Sequence, residues 1–384
     1  MAALIIKNCE VYSPKPLGKK DVLTINGKII WIGKTDEAAL ERTGIRPEVI
    51  DGEGTYLTPG FIDPHEHLVG GDGEGGFWAR TFPITLPEQV LGGITTVVGC
   101  LGVDTITYNM LSILGHARSL IDEGMNVFLW TGGYVLPSCT VTGGIRSDVL
   151  LIPEIIGAGE LAVSDPRSIL PRTDELAKVV TEAYTGGMLS QKCGCTHFHM
   201  GDGKRNLEQI FKLLKDYDIE PEVVYPTHVN RNPELLKQAV ELTHLKVTVD
   251  MDTTEEKLAE ELGKFVELGG DLEYVTISTD ASFSSPKTLY GQLRDVMREL
   301  KWPLEKVLPL VTTNTARVLK LGAKGKIEID ADADLVLLDK KDLRIRDVVL
   351  AGKVYVREGR FVHRLKQLEN SNRNIELHGK KEIR

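Results

Sequence analysis

Residues 60–67 read Gly-Phe-Ile-Asp-Pro-His-Glu-His and continue an apolar segment that begins at Tyr56. In an extended backbone alternate side chains point to the same side, so His65 and His67 can bind one metal ion together. Neutral imidazole is the commonest metal ligand, and a catalytic metal must lie where substrate reaches it. Two unrelated surface or core histidines are the alternative. Further histidines recur downstream at the ends of predicted strands, so we favour a strand that ends in a metal site.

Short apolar segments recur after this stretch, and longer amphipathic segments separate several of them. The predicted strands cover residues 57–63, 95–99, 126–131, 160–164, 195–199, 223–227, 246–250 and 275–279. Helical periodicity is evident over 207–215 and 255–268. Eight strands that alternate with helices predict an α/β fold, a (β/α)₈ TIM-like barrel, in which active sites gather at the C-terminal ends of the strands.

The polar candidates fall at those strand ends. His65 and His67 follow the first predicted strand, His199 ends the fifth, and His228 follows the sixth. Asp280 follows the eighth strand, where an isolated aspartate is commonly a helix N-cap. Because it would face four histidines across the barrel mouth, we interpret Asp280 as a carboxylate linked to the metal site.

A second cluster offers a rival metal site. Cys193, Cys195, His197 and His199 alternate along one predicted strand, which is compatible with a structural zinc site. Along a barrel strand only the last of these residues reaches the mouth, and the earlier ones face the packed interior. We therefore predict that the two cysteines are buried apolar groups and that His197 is a hydrogen-bonded core histidine.

Both ends of the chain are rich in short predicted strands. They cover residues 4–12, 21–25 and 28–33 near the N-terminus, and 325–329, 333–339 and 348–356 near the C-terminus. Asn26-Gly27, flanked by alternating apolar residues, predicts a β-hairpin. We predict a small β-sandwich domain built from residues 1–55 and 318–365, a barrel over 56–317, and a polar C-terminal tail over 366–384.

Composition narrows the class of protein. The chain has 384 residues with 42% apolar and 26% charged residues, as in ordinary globular proteins. A net charge of −9 without a long basic stripe argues against a nucleic-acid partner. Five cysteines do not form a secreted-type disulfide framework, and neither a signal peptide nor a membrane-spanning segment is evident. We predict a cytoplasmic protein that does not associate with membranes.

The pattern of His-x-His after strand 1, histidines after strands 5 and 6, and aspartate after strand 8 resembles the amidohydrolase superfamily. The segment Ala331-Asp-Ala-Asp-Leu-Val-Leu-Leu338 and the flanking β-rich ends are similar too. Within that superfamily the chain resembles isoaspartyl dipeptidases, also called β-aspartyl peptidases, over nearly its whole length. The motifs that carry this resemblance are His65–Glu74, Thr131–Tyr134, Ser164–Ser168, Phe198–Asp202 and Thr227–Asn232.

The resemblance implies a site for two divalent ions, which we expect to be zinc. His65, His67 and Asp280 would bind one ion, and His199 and His228 the other. Many relatives bridge the two ions with a carbamylated lysine after strand 4. This chain has no lysine there, and Glu160 stands at the corresponding place. We predict that Glu160 is the bridge, although its side chain is shorter and its backbone must approach the ions more closely; a surface Glu160 without a bridging role is the alternative.

The resemblance also assigns the groups that bind substrate. Glu74 would pair with the free α-amino group, and Tyr134 would donate to the scissile carbonyl. Arg167, Arg231 and Ser284 would hold the two carboxylates of a β-aspartyl dipeptide. Each arginine has the alternative role of a structural ion pair. The glycine-rich segment 70–76 is too irregular for a phosphate-binding fingerprint, and we interpret it as a flexible loop that presents Glu74.

Two positions near the amino pocket depart from the family pattern. Asp72 occupies a place where we expect glycine, and Val103 a place where we expect threonine. Both departures bear on the assignment of the substrate.

The implied reaction is hydrolysis of the β-aspartyl isopeptide bond of a small dipeptide by a homo-oligomeric metalloenzyme. A metal-bridging hydroxide would attack the carbonyl, Tyr134 would stabilise the oxyanion, and Asp280 would shuttle the proton to the leaving amine. A cyclic-amide or N-acyl-amino-acid hydrolase, similar to dihydropyrimidinase or D-aminoacylase, is the enzymatic alternative. A metal-free scaffold that kept the barrel and lost catalysis is the alternative from another class.

Overall fold

A computed structural model of the chain describes residues 2–255 and 257–369. In chain order, the strands of these residues are β1 (Ala3–Tyr12), β2 (Pro16–Ile25), β3 (Lys28–Gly33), β4 (Glu48–Asp51), β5 (Thr55–Pro59), β6 (Phe61–Glu66), β7 (Ile94–Gly99), β8 (Asn126–Thr131), β9 (Ile155–Val163), β10 (Thr196–Met200), β11 (Val224–Thr227), β12 (Val249–Asp252), β13 (Val275–Ser278), β14 (Leu335–Asp339), β15 (Ile345–Leu350), β16 (Lys353–Arg357) and β17 (Arg360–Phe361). The α-helices are α1 (Glu37–Arg42), α2 (Leu86–Leu91), α3 (Met110–Asp122), α4 (Ile145–Leu151), α5 (Thr173–Ser190), α6 (Glu208–Asp216), α7 (Pro233–His244), α8 (Leu258–Glu267), α9 (Thr288–Glu299), α10 (Leu304–Val307), α11 (Thr313–Val318) and α12 (Lys366–Glu369). Short 3-10 helices cover Phe77–Ala79, Pro221–Val223, Leu272–Tyr274 and Leu308–Val311.

The central strands curl into a parallel barrel. Strands β6 to β11 form one sheet in sequence order, and β12 pairs with β13. At one seam the Val229 N–H donates to the Asp250 carbonyl at 3.3 Å. At the other, the Asp280 N–H donates to the His65 carbonyl at 3.1 Å, and His67 donates to Ala281 at 2.9 Å. These contacts close the ring, and the α/β barrel prediction is confirmed.

A second, nine-stranded sheet takes its strands from both ends of the chain. Its order is β17-β16-β15-β14-β5-β1-β2-β3, with β4 paired to β1. The Asn26-Gly27 turn has φ angles of 49° and 80°, as the hairpin prediction requires. The division into a separate β-sandwich domain of residues 1–55 and 318–365 stays a prediction.

The first predicted strand, 57–63, is wrong as a single element. Thr55–Pro59 pairs with β1 and β14 in the mixed sheet, and the barrel begins only at Phe61. Gly60 lies between the two strands, at the point where the chain passes from one sheet to the other. Only glycine fits there, because a β-carbon would lie 2.1 Å from the hydroxyl of Thr95. One continuous apolar segment therefore serves two sheets, and it delivers the His-x-His pair to the barrel mouth.

Near the C-terminus two further predictions need correction. Residues 325–329 form no strand, although Ile327 is buried in the core of the mixed sheet. The segment 348–356 is not one strand: β15 and β16 form a hairpin whose turn, Ala351-Gly352, has φ angles of 48° and 74°.

Of the predicted polar tail, residues 366–369 form α12, and residues 370–384 lie outside the described residues. In the part of the chain that the structure describes, no helix combines the length and the apolar character needed to cross a membrane.

Candidate metal centre and active site

The predicted metal ligands meet at the C-terminal end of the barrel. His65 is the second-last residue of strand β6, and His67 directly follows that strand. His199 lies in β10, and His228 directly follows β11. All four histidines are buried. Because the strands are parallel, their C-terminal ends share one rim, and residues distant in sequence become neighbours there.

Glu160 lies at the centre of this group and is fully buried. Its Oε2 atom is 3.2 Å from His65 Nε2 and 3.6 Å from His67 Nε2. Its Oε1 atom is 2.5 Å from His199 Nδ1 and 3.3 Å from His228 Nε2. Each carboxylate oxygen thus faces one pair of histidines, which is incompatible with a surface position for this residue.

A bulge in β9 brings Glu160 to this position. In the pairing of β9 with β10, Ala158 is opposite Thr196 but Leu161 is opposite Phe198, so β9 carries one extra residue. A β-carbon on Gly159 would lie 2.7 Å from the carbonyl of His197, so only glycine allows this approach. Bulges redirect side chains next to active sites. The bulge thus places Glu160 within the strand, whereas the closer approach of its backbone to the ions stays a prediction.

Asp280 faces the same histidines from the end of β13. Its Oδ1 atom is 3.1 Å from His67 Nε2 and 3.5 Å from His65 Nε2, and its Oδ2 atom is 4.0 Å from His228 Nε2. Asp280 and His228 both have positive φ angles, 49° and 61°, in a region where residues at functional sites are over-represented. Burial raises the pKa of Asp280, but the charges of His65 and the hydrogen bond from His67 outweigh it and lower the pKa to about 2.

Carboxylates deeper in the barrel orient two of the histidines. Asp252 accepts a hydrogen bond from His228 Nδ1 at 2.7 Å. Asp250 accepts one from the Thr227 hydroxyl at 2.7 Å, and that hydroxyl lies 3.4 Å from His65 Nδ1. Because these contacts engage Nδ1, the Nε2 atoms of His65 and His228 point into the cluster. Metal-binding histidines are usually oriented by such a partner on the other ring nitrogen.

The cluster is built to receive positive charge. Burial lowers the pKa of His65, but the Glu160 carboxylate outweighs it and raises the pKa well above the usual value. His65 Nε2 is buried without a hydrogen-bond partner. Three overlapping groups drawn from His65, His67, Cys100, Glu160, His199, His228 and Asp280 have donor atoms close enough to hold a metal ion. Nitrogen, sulfur and carboxylate donors in this arrangement fit a zinc-type divalent cation.

Tyr134 lies beside His199 at the rim. Its hydroxyl is 2.8 Å from His199 Nδ1, and the two rings lie 4.4 Å apart. Burial, followed by the charge of Glu160, raises the pKa of Tyr134 well above its usual value. The phenol is therefore protonated at neutral pH and has a proton to donate.

The two arginines converge on the other side of His199. Arg167 Nη2 and Arg231 Nη1 lie 3.2 and 3.1 Å from His199 Nε2. Arg167 also forms a bidentate pair with Asp165, at 2.9 and 2.7 Å. Its remaining nitrogen, Nη1, donates to Glu74 at 2.5 Å. The structure thus joins Glu74 to the arginine that was predicted to bind substrate.

Ser284 is the predicted site residue without a contact to this group among the described residues. It lies in the loop after β13, and its hydroxyl is buried with no hydrogen-bond partner. Thr81 links the two loops at the mouth, because its hydroxyl accepts from the Gly71 N–H and donates to the Ser282 carbonyl, both at 2.7 Å.

The rival zinc cluster does not form. Cys193 and Cys195 are buried and their sulfur atoms contact backbone carbonyls of Val318 and Glu222. His197 is a core residue stacked on Trp130, with ring centroids 5.3 Å apart. The rings of His65 and Tyr225 also pack against His197, with centroids 4.8 Å away in both cases, as expected for a core histidine.

Asp72, one of the two departures from the family pattern, accepts a hydrogen bond from the Asp104 N–H at 2.9 Å. The Asp72 carboxylate and the His67 ring both lie against Gly102. A β-carbon on Gly102 would be 2.8 Å from Asp72 Oδ2 and 2.8 Å from His67 Cε1. Burial raises the pKa of Asp72, although the charge of His67 opposes it. Val103 is half-buried beside these residues.

Several residues of the site were not singled out from the sequence, among them Asp165, Asp252 and Cys100. Asp165 lies two residues before Arg167, within a motif already noted. Asp252 ends β12, which the prediction placed about three residues too early. Cys100 directly follows β7, and its Sγ atom is 3.8 Å from Glu160 Oε2 and 3.9 Å from His67 Nδ1. The available signal was position relative to the barrel strands. Asp252 ends a strand, Cys100 directly follows one, and Asp165 lies two residues beyond one.

Comparison with known proteins agrees with this geometry. Residues 56–355 match the model of the amidohydrolase family. Adenine deaminase 2 from Agrobacterium fabrum is 24% identical over 330 residues, which are 82% of this chain and 50% of that protein. The chain spans about half or less of the length of this and other curated relatives.

Two solved structures are similar over nearly the whole chain. β-Aspartyl dipeptidase from Fervidobacterium islandicum AW-1 is 38% identical with a TM-score of 0.89, and the match covers 97% of this chain and 100% of that one. A structure of β-aspartyl dipeptidase from the same organism in complex with the β-Asp-Leu dipeptide is 36% identical with a TM-score of 0.88, over 98% and 100% of the two chains. This chain is thus a hydrolytic enzyme of the amidohydrolase family and belongs, within it, to the isoaspartyl (β-aspartyl) dipeptidases.

Proposed function

We propose that this protein hydrolyses the isopeptide bond of β-aspartyl dipeptides in a reaction that requires two divalent metal ions. The observation that carries the proposal is the set of charges beside the histidine cluster: Glu74, Arg167 and Arg231. A β-aspartyl dipeptide presents one ammonium and two carboxylates, which these groups match in sign and number. The likeness to a β-aspartyl dipeptidase bound to β-Asp-Leu supports the same substrate class.

The Glu74–Arg167 pair discriminates between the candidate substrates. Its two charges are 2.5 Å apart, and their side chains are 49% and 31% exposed. A zwitterionic dipeptide can replace each partner, because its ammonium binds Glu74 while its carboxylate binds Arg167. A hydantoin or dihydropyrimidine ring supplies neither charge. If it opened the pair, Glu74 would lose its partner and Arg167 would keep only its pair with Asp165. An N-acyl-amino acid supplies only the carboxylate, so the dipeptide is favoured over both alternatives.

The proposed ligand assignment follows the two oxygens of Glu160. His65, His67 and Asp280 would hold one ion on the Oε2 side, and His199 and His228 would hold the other on the Oε1 side. Glu160 would bridge the two without carbamylation. Nitrogen-rich donors of this kind favour zinc. Bound ions would supply a hydroxide nucleophile between them at neutral pH, because they lower the pKa of water.

The protein's own groups would then carry the reaction. Tyr134, held protonated, would donate to the oxygen of the scissile carbonyl as negative charge develops there. Asp280 would take the proton of the attacking hydroxide and deliver it to the departing amine. Arg167 and Arg231 would fix the carboxylates, so that the isopeptide carbonyl rather than an α-linked one lies against Tyr134 and Asp280. Ser284 would provide an additional hydroxyl for a carboxylate. The cytoplasmic location and the homo-oligomeric state stay predictions.

The test is a substrate panel assayed after reconstitution with zinc. We expect hydrolysis of β-Asp-Leu, and a kcat/KM for α-Asp-Leu lower by at least about a hundredfold, since unpaired charges in such a site cost several kcal/mol. Hydantoin, dihydrouracil and N-acetyl-D-leucine test the alternatives. Arg231→Met should remove most of the activity, whereas Arg172→Met, at an exposed arginine paired with Asp174, should not. Equal rates on the two aspartyl linkages, or turnover of a ring with none of β-Asp-Leu, would contradict the proposal.

A further inference from the structure

Cys100 lies on the histidine cluster and has no role in the ligand set derived from the family. It follows β7 directly and is fully buried. Its Sγ atom is 3.8 Å from Glu160 Oε2, the oxygen that faces His65 and His67, and 3.9 Å from His67 Nδ1. The donor atoms of His65, His67, Cys100 and Glu160 all lie within 4.8 Å of one another.

The other buried cysteines have different surroundings. The sulfur atoms of Cys9, Cys193 and Cys195 contact backbone carbonyls of Lys20, Val318 and Glu222. Among the described residues, Cys100 is the cysteine whose sulfur lies within hydrogen-bonding range of both an imidazole and a side-chain carboxylate.

Cys100 also has one contact of the kind that the other buried cysteines make. Its sulfur lies 3.6 Å from the Glu66 carbonyl, which also accepts the backbone N–H of Cys100 at 2.9 Å. Nearby, His65 Nε2 is buried without any hydrogen-bond partner. Imidazole, thiol and carboxylate donors this close together would all be satisfied by one cation.

We propose that the Cys100 thiolate is an additional ligand of the ion held by His65 and His67. On binding, the thiol loses its proton to solvent and a sulfur–metal bond forms. A thiolate and the Glu160 carboxylate 3.8 Å apart would repel each other strongly in a buried site, so the thiolate needs a cation to neutralise it. This inference rests on the proposed binuclear site, and it adds a soft donor that favours zinc, cobalt and cadmium over magnesium and manganese.

The first experiment reads the bond and not the activity. Protein loaded with cobalt(II) should show the near-ultraviolet charge-transfer absorption of a thiolate–cobalt bond, and Cys100→Ser and Cys100→Ala should lose it. Cys139→Ser is the matched control, because Cys139 is the most exposed of the five cysteines; this variant should keep the absorption. In competition with a chelator, Cys100→Ala should bind zinc at least about tenfold more weakly, since even indirect partners of a metal cost that much.

A second measurement needs no substitution. Cadmium-113 NMR of the unaltered protein should show one resonance at the low field typical of a sulfur ligand and one at the position typical of nitrogen and oxygen ligands. Two resonances without sulfur character, a cobalt absorption that persists in Cys100→Ala, or an unchanged zinc affinity would overturn the inference while leaving the proposed function intact. A protein that binds neither ion would overturn both.

Discussion

Replacing Glu160 with glutamine tests the centre of the proposed site. The substitution keeps the size of the side chain and removes its negative charge. In the structure the carboxylate oxygens lie 2.5 and 3.3 Å from His199 and His228, and 3.2 Å from His65. Glu160 is fully buried, so little solvent screens the change.

The expected magnitude follows from the electrostatics. A unit charge about 4 Å from a cation contributes about 4 kcal/mol per unit of cation charge at an effective dielectric constant of 20. One unit of cation charge alone corresponds to about a thousandfold, since about 1.4 kcal/mol is a factor of ten, so binding of a divalent second ion should weaken by at least that much. We therefore expect Glu160→Gln to retain about one zinc per chain where the parent retains two.

The assay is elemental analysis after dialysis against a zinc buffer, with Glu154→Gln as the matched control. Glu154 precedes the same strand and pairs with Arg118 at the surface, so its variant should keep two ions. Because a carboxylate of the chain needs no carbon dioxide, metal-free protein should recover full activity with zinc alone. Two tightly bound ions in Glu160→Gln, or a requirement for bicarbonate, would refute the bridging role of Glu160.

Two further carboxylates make distinct predictions. Asp280→Asn should lower kcat by about 10²–10⁴-fold, the usual contribution of a general acid–base, with a much smaller change in substrate binding; near-normal kcat at full metal content would exclude Asp280 from proton transfer. Burial raises the pKa of Asp250 from 3.8 to about 6, so the folded metal-free protein holds this proton more tightly than the unfolded chain does. Its contribution to the free energy of unfolding is therefore complete below about pH 4 and lost as the pH rises through 6, by about 3 kcal/mol. In urea unfolding, the stability of the parent relative to Asp250→Asn should fall by that amount between pH 4 and 7, and a constant difference would contradict it.

The barrel and most of its ligands were predictable because they depend on local patterns. A short apolar segment predicts a strand, and a histidine or aspartate at its end marks the C-terminal face of the barrel, where active sites lie. His65, His67, His199, His228 and Asp280 needed only the rule that parallel strands end at one face. The hairpin at Asn26 was equally local, since its two residues must adopt positive φ.

The remaining features depend on contacts between distant segments. The bulge that directs Glu160 inward arises from pairing of β9 with β10, and no pattern within 155–163 reveals it. Arg167 and Glu74 are 93 positions apart and belong to different loops. His197 shares the strand parity of His199, yet its side chain is enclosed by Trp130 and Tyr225 beneath the rim. Only the three-dimensional arrangement distinguishes such a residue from a ligand.

The net charge of the whole proposed ligand set bears on the proposed cysteine ligand. Two divalent ions carry four positive charges, while Glu160, Asp280 and one hydroxide carry three negative charges. In a buried site an unbalanced charge is costly, because water is not there to solvate it. A thiolate at Cys100 would supply the fourth negative charge from within the ligand set. Its sulfur lies 3.8 Å from Glu160 Oε2, so the proposed cysteine ligand and the proposed bridge would neutralise the same ion.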